Sequence, residues 1–288
     1  MKELHNKYRI LEMAAYLEVS SSGYYEWLNS NGGKKQEADK TLKEIIRHEF
    51  RESKETYGVE RMVEVLRSKG FRIGRHRTRR LMREENLIPK ARRKFKVTTD
   101  SNHDDPVAAN LLEQDFRVDE PDKVWVGDIT YIPTDEGWLY VAVVIDLFSR
   151  KIVGWAMSSR IKKSLVIDAF TMAVNRRKPS PELIFHSDRG SQYCSKDFRK
   201  RLKSVKAVQS MSGKGNCYDN AVAESFFHTL KVEQLHWYRF LTRDSAKRAV
   251  FEFIEMFYNK KRLHSYLNFK SPEQFEKLYH YGRFGKCA

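Results

Sequence analysis

The segment VWVGDITYIP, residues 124–133, decides the fold class because its apolar and β-branched residues predict a buried strand. Two further strands follow at hairpin distances, over residues 139–146 and 151–157. Beyond them the predicted elements are, in order, a helix over 164–177, a strand over 183–186, a helix over 196–204 and a strand over 207–209. This order predicts an α/β protein with a five-stranded mixed sheet and helices on its faces.

The residues before this sheet predict an all-α region. From 40 to 87, apolar residues recur with a helical period in two stretches, and a short third helix follows over 78–86. Residues 67–96 contain 13 basic and two acidic side chains, so the last helix is rich in arginine. Three short helices with a basic third helix are typical of a helix-turn-helix module that binds DNA. Residues 10–28 also have helical spacing around a Ser-Ser-Ser-Gly turn, like the tail of another such motif.

Breaks in composition divide the chain into four parts. A partial helix-turn-helix tail and a polar, glycine-containing linker occupy residues 1–35, and the basic helical domain occupies 36–97. A connection with one short regular element covers 98–120, and the α/β core with its C-terminal helices covers 121–288. From Asn220 onward every stretch predicts helix, with a break near residues 270–272.

The composition excludes several classes of protein. The 288 residues carry 54 Lys and Arg against 38 Asp and Glu, a net charge of +16 that favours a polyanionic partner. No run approaches the roughly 18 to 20 apolar residues of a membrane span, and the start MKELHNKYRI lacks the core of a signal peptide. The three cysteines are too few and too scattered for a disulfide framework or a zinc site. A reducing cytosolic compartment and no membrane partner are therefore expected.

Three acidic residues occupy positions where a site would form. Asp128 lies in the middle of an otherwise apolar strand, where a charge costs several kcal/mol unless a metal ion or a partner compensates it. Asp188 directly follows the fourth strand, at the carboxyl end where α/β sheets bind ligands. Glu224 lies one turn into a helix that begins after the predicted cap, Asp219 or Asn220. A structural salt bridge is the competing interpretation of Asp128.

The sequences around these residues resemble a known family. The motifs are WVGDITYI around Asp128, HSDRGSQY around Asp188 and SGKGNCYDNAVAESFFHTLKVE around Glu224. They are similar to the DDE transposases of the retroviral-integrase superfamily, and more narrowly to the OrfB proteins of insertion sequences of the IS3 type. Residues 57–66 and 258–275 also match that group, so the resemblance covers essentially the whole chain.

The resemblance implies a ribonuclease-H-like catalytic core and a metal-binding triad of Asp128, Asp188 and Glu224. It implies divalent-metal-dependent cleavage and strand transfer at the ends of the element, in which water and then a DNA 3′-hydroxyl attack. Two Mg²⁺ ions suit this chemistry, because they stabilise the attacking and leaving oxygens in line and prefer oxygen ligands. Mn²⁺ is expected to substitute for them.

The same resemblance implies the partners. They are double-stranded DNA, both the terminal inverted repeats and the target, and further copies of the chain on that DNA. The upstream reading frame of the element, which carries a complete helix-turn-helix and a zipper, is expected as a fusion or a partner. The location implied is the bacterial cytoplasm, in association with the nucleoid.

Further residues are candidates for contact with DNA or for support of the triad. Lys231 follows Glu224 by seven residues, two helical turns along the same face, where integrases hold the DNA end. The basic helix and the residues after it supply six more candidates for DNA binding: Arg75, Arg77, Arg79, Arg80, Arg92 and Arg93. Side chains expected to orient or support the carboxylates are His186, Arg189, Asn220 and His228.

Two alternatives to a transposase remain open at this stage. The first is a DNA-binding accessory or regulatory protein with a relic catalytic fold, although a relic would be expected to lose at least one of the carboxylates. The second is a ribonuclease-H-like nuclease without joining activity, which would share the metal site. Lys231 and the basic helices favour transposition over that second alternative.

Overall fold

The computed structural model describes residues 1–29, 32–90, 107–113, 115–213 and 217–284. The chain divides into two compact units, Met1–Pro89 and Lys90–Ala288, which are treated separately below. Within the described residues no helix is both long and apolar enough to cross a membrane. Two of the candidate DNA-binding residues, Arg92 and Arg93, lie outside the described residues.

The first unit is entirely helical. Its elements are α1 (Ile10–Tyr16), α2 (Ser21–Asn29), α3 (Gly32–Glu52), α4 (Val59–Ser68) and α5 (Arg75–Glu84). Two expectations are wrong here. The predicted linker is helical from Gly32 onward, because a polar composition is common to linkers and exposed helices. The Ser-Ser-Ser-Gly stretch is not a turn either, since α2 begins within it at Ser21.

The last three helices of this unit pack around a small apolar core. Ile46 of α3, Met62 and Leu66 of α4 and Leu81 of α5 are fully buried. The fully buried Thr78 donates its hydroxyl to the carbonyl of Gly74 at 3.1 Å, and α5 begins at Arg75, three residues before its predicted start. The all-α character predicted for this region is confirmed.

The second unit is built on a five-stranded mixed sheet in the order β3-β2-β1-β4-β5, which confirms the predicted sheet. The strands are β1 (Val124–Thr134), β2 (Gly137–Asp146), β3 (Ile152–Ser158), β4 (Ile184–Ser187) and β5 (Val208–Met211). The first three strands form antiparallel pairs, whereas β4 and β5 run parallel to β1.

Helices cover the sheet. They are α6 (Lys163–Arg177), α7 (Ser191–Cys194), α8 (Lys196–Ser204), α9 (Ala221–Glu233), α10 (Arg243–Phe251) and α11 (Pro272–Phe284). Trp125, Phe170, Phe185 and Phe198 form an aromatic core between the sheet and helices α6 and α8. A π-helix over Glu252–Tyr258 continues α10.

One expectation about the segments between the elements is wrong. The C-terminal region is not continuously helical, because residues 238–242 and most of 259–271 form non-helical connections. A short regular element was expected in the connection before the sheet; the described residues 107–113 and 115–120 contain no helix or strand, and the other residues of that connection lie outside the described ones.

A buried group of charged and polar side chains holds α11 against the sheet; we call it the Glu276 cluster. Glu276 accepts hydrogen bonds from Ser149 at 2.8 Å, from Lys151 at 2.9 Å and from both terminal nitrogens of Arg177 at 2.9 and 3.0 Å. Asp146 belongs to the same cluster because it accepts the backbone N–H of Ser149 at 3.0 Å and the hydroxyl at 2.7 Å. Each carboxylate of the Glu276 cluster thus has a donor within the fold.

Candidate active site

The first candidate carboxylate, Asp128, lies where β1 loses one of its neighbours. The parallel pairing of β1 with β4 ends at Gly127 and Ser187, so Asp128 and Asp188 are the next residues in the same register. Adjacent strands lie about 4.8 Å apart, so this register brings the two aspartates together. A Cβ on Gly127 would lie 2.5 Å from Cζ of Phe185, so a side chain at this position would displace the buried Phe185 ring.

The backbone that follows β4 fixes the position of Asp188. The N–H of Gly190 donates to Oδ1 of Asp188 at 3.0 Å, and the hydroxyl of Ser187 donates to the carbonyl of Asp188 at 2.9 Å. Asp128 is held by a 2.7 Å hydrogen bond from the N–H of Ile129 to its Oδ1. Both side chains are half-buried.

Helix α9 brings Glu224 and Lys231 to the same place, because it packs against β1. The end of α9 is fixed by a buried ion pair in which Arg262 donates twice to Glu233, at 2.7 Å each. The beginning of α9 differs from the expectation: Asn220 is the N-cap residue but makes no side-chain cap hydrogen bond. Asp219 accepts instead from the N–H of Gly213 at 2.7 Å and from the amide of Asn110 at 3.0 Å.

The charges of these groups act on one another. Burial raises the pKa of Asp128 well above its usual value, and the negative charges of Asp188 and Glu224 raise it further. Burial also raises the pKa of Glu224, whereas burial lowers the pKa of Lys231 although the charge of Asp128 opposes this. Since a raised carboxyl pKa means that the charged form is unfavourable, the site gains free energy from any cation that joins it.

Two tyrosines next to the carboxylates were missed by the sequence analysis, although both lie inside its quoted motifs. Tyr193 on α7 is buried, and burial together with the charges of Asp128 and Asp188 raises the pKa of its phenol. Tyr131 on β1 has the ammonium group of Lys231 5.2 Å from its ring centroid. An aromatic residue in a strand or a short helix usually indicates core, so only the motifs themselves could have drawn attention to the two tyrosines.

The four side chains predicted to support the carboxylates have varied surroundings. His186 is fully buried between Ser210, 2.8 Å from its Nδ1, and Ser212, 3.3 Å from its Nε2, and burial lowers its pKa to about 4. Arg189 donates to the carbonyl of Ser212 at 2.6 Å. His228 lies one turn after Glu224 and is half-buried, whereas Asn220 is buried. His186 thus bonds to Ser210 of β5 and to Ser212 just after it, and Arg189 bonds to Ser212.

The donor set of the site suits a hard divalent cation. Carboxylate oxygens are the ligands that Mg²⁺ and Mn²⁺ prefer, and the raised pKa of Asp128 shows that its charge is not neutralised within the fold. In the part of the chain that the structure describes, no three His, Cys, Asp or Glu side chains are grouped closely enough to hold one ion. Asp128, Asp188 and Glu224 are therefore neighbours coupled by charge and not an assembled ligand sphere.

The basic helix α5 of the first unit divides its arginines between two faces. Arg77 and Arg80 both donate to Asp39 of α3, at 2.6 Å to Oδ1 and at 2.5 Å to Oδ2. Burial would raise the pKa of Asp39, but the hydrogen bonds from Arg80 and Arg77 outweigh it and lower that pKa. Arg75 forms an exposed pair with Glu60 at 2.8 Å, and Arg79 is exposed.

The exposed face of α5 forms a basic stripe, which we define as Arg72, Arg75, Arg79 and Arg83. Arg75, Arg79 and Arg83 are four residues apart, a spacing that places them on one side of α5, and the exposed Arg72 precedes the helix. Among the described residues, the side chains of Arg72, Arg79 and Arg83 take part in no hydrogen bond or ion pair. Arg77 and Arg80 therefore hold α5 to α3, whereas the basic stripe faces solvent.

Comparisons with known proteins give three family matches. Residues 118–217 and residues 224–278 each match a family described as an integrase core domain. Residues 36–95 match a family described as an HTH-like domain.

Two similar proteins match this chain over nearly its whole length. The insertion element IS600 uncharacterized 31 kDa protein of Shigella sonnei is 46% identical over 268 residues, which cover 93% of this chain and 98% of that protein. The transposase InsF for insertion sequence IS3A of Escherichia coli (strain K12) is 44% identical over 272 residues, 94% of each chain.

Solved structures are also similar to part of the chain. A simian T-cell lymphotropic virus intasome in complex with the PP2A regulatory subunit B56 gamma matches 62% of this chain and 60% of its own, with a TM-score of 0.46 and 19% identity. The catalytic core domain of HTLV-2 integrase in complex with magnesium matches 54% of this chain and 97% of its own, with a TM-score of 0.42 and 20% identity.

Proposed function

The chain belongs to the family of IS3-type insertion-sequence transposases with integrase core domains, and from this membership we propose that Asp128, Asp188 and Glu224 carry its catalysis. As a transposase it acts on DNA as a polynucleotidyl transferase. The proposed reaction is cleavage at the ends of the element followed by joining of the 3′-hydroxyl ends to target DNA.

One arrangement carries the assignment of residues: the register of β1 and β4 brings Asp128 and Asp188 together, and α9, which carries Glu224, packs against β1. Burial and the charges of Asp188 and Glu224 raise the pKa of Asp128 accordingly. Two of the three carboxylates are fixed by backbone N–H groups, and the helix that carries Glu224 is fixed at its far end by the Arg262–Glu233 pair. The fold therefore holds together negative charges that repel one another. Such an arrangement is typical of a site that binds cations.

We propose that Asp128, Asp188 and Glu224 hold two Mg²⁺ ions, which Mn²⁺ can replace. When bound, such ions stabilise the attacking and leaving oxygens of a phosphodiester. The three carboxylates supply three negative charges against the four positive charges of two ions, so a substrate phosphate completes the neutralisation. The side chains of Asp128 and Asp188 are held in place by the hydrogen bonds from Ile129 and Gly190.

Lys231 is proposed to bind the DNA end and not the metal ions. Its ammonium group has no lone pair at neutral pH and cannot be a ligand. It lies seven residues after Glu224 on α9, about 10 Å along the helix axis. Its charge acts on Asp128 and its ammonium group lies 5.2 Å from the Tyr131 ring centroid, so it can reach a phosphate beside the carboxylates.

The partners proposed are the terminal inverted repeats of the element, target DNA, further copies of the chain on that DNA and the product of the upstream reading frame. Arg75 and Arg79 of α5 are proposed to contact DNA phosphates as members of the basic stripe, together with Arg92 and Arg93 of the following segment. Arg77 and Arg80 were also expected to contact DNA, but both pair with Asp39 and so hold α5 against α3. They are proposed to contact DNA only through guanidinium N–H groups that are not already bonded within the fold.

The test is a cleavage and joining assay on a duplex that carries the terminal repeat flanking this gene. Asp128→Asn, Asp188→Asn and Glu224→Gln should each abolish both steps while retaining binding of the DNA end. Asp168→Asn is the matched control, because Asp168 is an exposed aspartate on α6. Cleavage at the wild-type rate by any triad variant would remove that residue from the site. Cleavage without joining by the wild type would favour a nuclease, and the absence of both would favour an accessory protein.

A further inference from the structure

The edge of β1 next to the carboxylates is partly open. Strand β4 pairs with β1 only over Val124–Gly127, whereas β2 pairs with β1 as far as Thr134. Among the described residues, the part of β1 after Asp128 is therefore paired on one side only. This open edge runs from the carboxylates to the turn between β1 and β2.

Two large aromatic side chains are exposed on this part of the hairpin. Tyr131 is 38% exposed and Trp138 is 49% exposed. Their ring centroids lie 4.9 Å apart at an interplanar angle of 84°, an edge-to-face pair. Tyr131 is paired with Tyr140 across the strands, so Trp138 is its diagonal neighbour on the same face. Large apolar groups exposed side by side are informative, because folding alone does not require them to face water.

Contacts from two other segments hold this pair in position. The ammonium group of Lys231 lies 5.2 Å from the Tyr131 ring centroid. Nε of Arg243 donates to the carbonyl of Trp138 at 3.1 Å. Gly137 has a φ of +102°, and a Cβ there would lie only 2.9 Å from Nη2 of Arg243, so a glycine is needed for this approach.

The charges around the pair are compatible with a polyanion. Asp135 at the turn pairs with Arg239 at 3.2 Å. Glu136 accepts the backbone N–H of Arg243 at 2.8 Å. Both acidic groups of the turn are thus bonded from the segment that follows α9, and Lys231 adds a positive charge on the side of the carboxylates.

We infer that Tyr131 and Trp138 form a stacking platform for a nucleobase of the element end, close to the phosphate that is cleaved. The inference rests on the proposed function, because it takes the scissile phosphate to lie at Asp128, Asp188 and Glu224. Tyr131 is three residues from Asp128, about 10 Å along β1, and on the opposite face of the strand. This distance corresponds to about three base steps of stacked duplex at 3.4 Å each. Lys231 links the two at the open edge, because its charge acts on Asp128 and its ammonium group lies 5.2 Å from the Tyr131 ring centroid. Aromatic rings bind bases of any sequence in this way, since every base has a π-face. The two residues act as positioning residues and take no part in the chemical steps.

The test uses the full-length protein and the terminal-repeat duplex, with 2-aminopurine replacing one base at each of the first five positions from the end. The fluorescence is measured without divalent metal, so that no cleavage occurs. The wild type and Tyr131→Phe should quench the probe at one or two of these positions. Tyr131→Ala and Trp138→Ala should restore its fluorescence and bind the duplex about 5- to 150-fold more weakly. Tyr281→Ala, which removes an exposed aromatic ring of α11, should behave as the wild type.

A second measurement separates stacking from a general loss of structure. Removing the stacked base as an abasic site should weaken binding by the wild type, yet have no further effect on Trp138→Ala, because the two changes remove the same contact. Unchanged quenching in both alanine variants, or fully additive losses in this cycle, would overturn the platform. An Asp188→Asn variant that still cleaves would overturn the proposed function instead, so the two failures are distinguishable.

Discussion

The second unit contains two carboxylates, Glu276 and Asp128, whose pKa values the fold shifts in opposite directions. In the Glu276 cluster, Arg177 and Lys151 supply positive charge and Ser149 supplies a hydroxyl to a fully enclosed glutamate. Burial would raise the pKa of Glu276, but the charges of Arg177 and Lys151 outweigh it and lower that pKa. At Asp128, burial and the charges of Asp188 and Glu224 act in the same direction and raise the pKa.

The difference separates structural carboxylates from functional ones. Glu276 is neutralised inside the fold, so its charge contributes to holding α11 on the sheet. The charge of Asp128 is opposed by its own surroundings, so the fold alone gains nothing from it. A charged residue that destabilises the folded state is expected to have a role in binding.

Exchange of Asp128 for Asn should separate activity from stability. Cleavage and joining should fall to background, because the site loses a proposed metal ligand. The free energy of unfolding should stay the same or rise, since the neutral amide removes the repulsion from Asp188 and Glu224. Urea unfolding beside the cleavage assay measures both quantities. A clear loss of stability would place Asp128 with the structural carboxylates and break the contrast.

Exchange of Glu276 for Gln should give the reverse result. Arg177 and Lys151 would lose their common partner in a buried place, which costs about 3–5 kcal/mol of unfolding free energy. Cleavage measured at a temperature where the variant is still folded should persist. The control is Glu273→Gln on the same helix, whose exposed pair with Lys277 is worth only about 0.3–0.5 kcal/mol. Equal stability of the two variants would contradict the structural role of Glu276.

The raised pKa of Asp146, a member of the Glu276 cluster, predicts that the free energy of unfolding depends on pH. Burial raises its pKa from 3.8 to about 6, although Ser149 opposes the shift. The folded state therefore holds a proton on Asp146 more tightly than the unfolded state, and stability is lost as pH rises from about 4 to 6. The shift corresponds to about 3 kcal/mol.

Urea unfolding at pH 5 and pH 7 measures this dependence. Asp146→Asn has no titratable group at this position, so the part of the pH dependence that comes from Asp146 should be missing in the variant, whatever its absolute stability. The same pH dependence in the two proteins would show that Asp146 does not titrate in this range.

The same contrast between bonded and solvent-facing charges predicts different roles for the arginines of α5. Replacing Arg79 and Arg83 by Gln should weaken DNA binding and lower the slope of log affinity against log salt by about 0.9 per lost phosphate contact. Stability should hardly change. Replacing Arg77 and Arg80 should chiefly lower the unfolding free energy, because Asp39 loses its partners in both hydrogen bonds. An equal effect of both pairs on the salt slope would remove the distinction between the two faces.

Much of the fold follows from local sequence patterns. The strand that carries Asp128 was predictable from its run of apolar and β-branched residues. The helix α8 was predictable from the regular spacing of its apolar residues. The Glu276 cluster was not predictable, since Ser149 and Arg177 are 127 and 99 residues away from Glu276 along the chain. The sorting of the α5 arginines depends in the same way on Asp39, 38 residues before Arg77. Local patterns report secondary structure, whereas partners for charges are set by tertiary contacts.

The errors have the same origin. The start of α3 at Gly32 was taken as a linker because polar composition does not distinguish a linker from an exposed helix. Asn220 was expected to cap α9 with its side chain, but its neighbour Asp219 bonds to Gly213 and Asn110 instead. The proximity of Tyr193 and Tyr131 to the carboxylates depends on α7, on α9 and on the early end of β4, which no local pattern reports.

The most direct test measures binding of Mn²⁺ by electron paramagnetic resonance, using the full chain bound to a terminal-repeat duplex. It asks whether Asp128 and Asp188 bind metal ions while Glu276 does not. Glu276→Gln should bind Mn²⁺ as the wild type does at a temperature where it is folded, whereas Asp128→Asn and Asp188→Asn should each lose bound ions. Wild-type binding of Mn²⁺ by both aspartate variants, or loss of binding in folded Glu276→Gln, would contradict the assignment of the metal site to Asp128, Asp188 and Glu224.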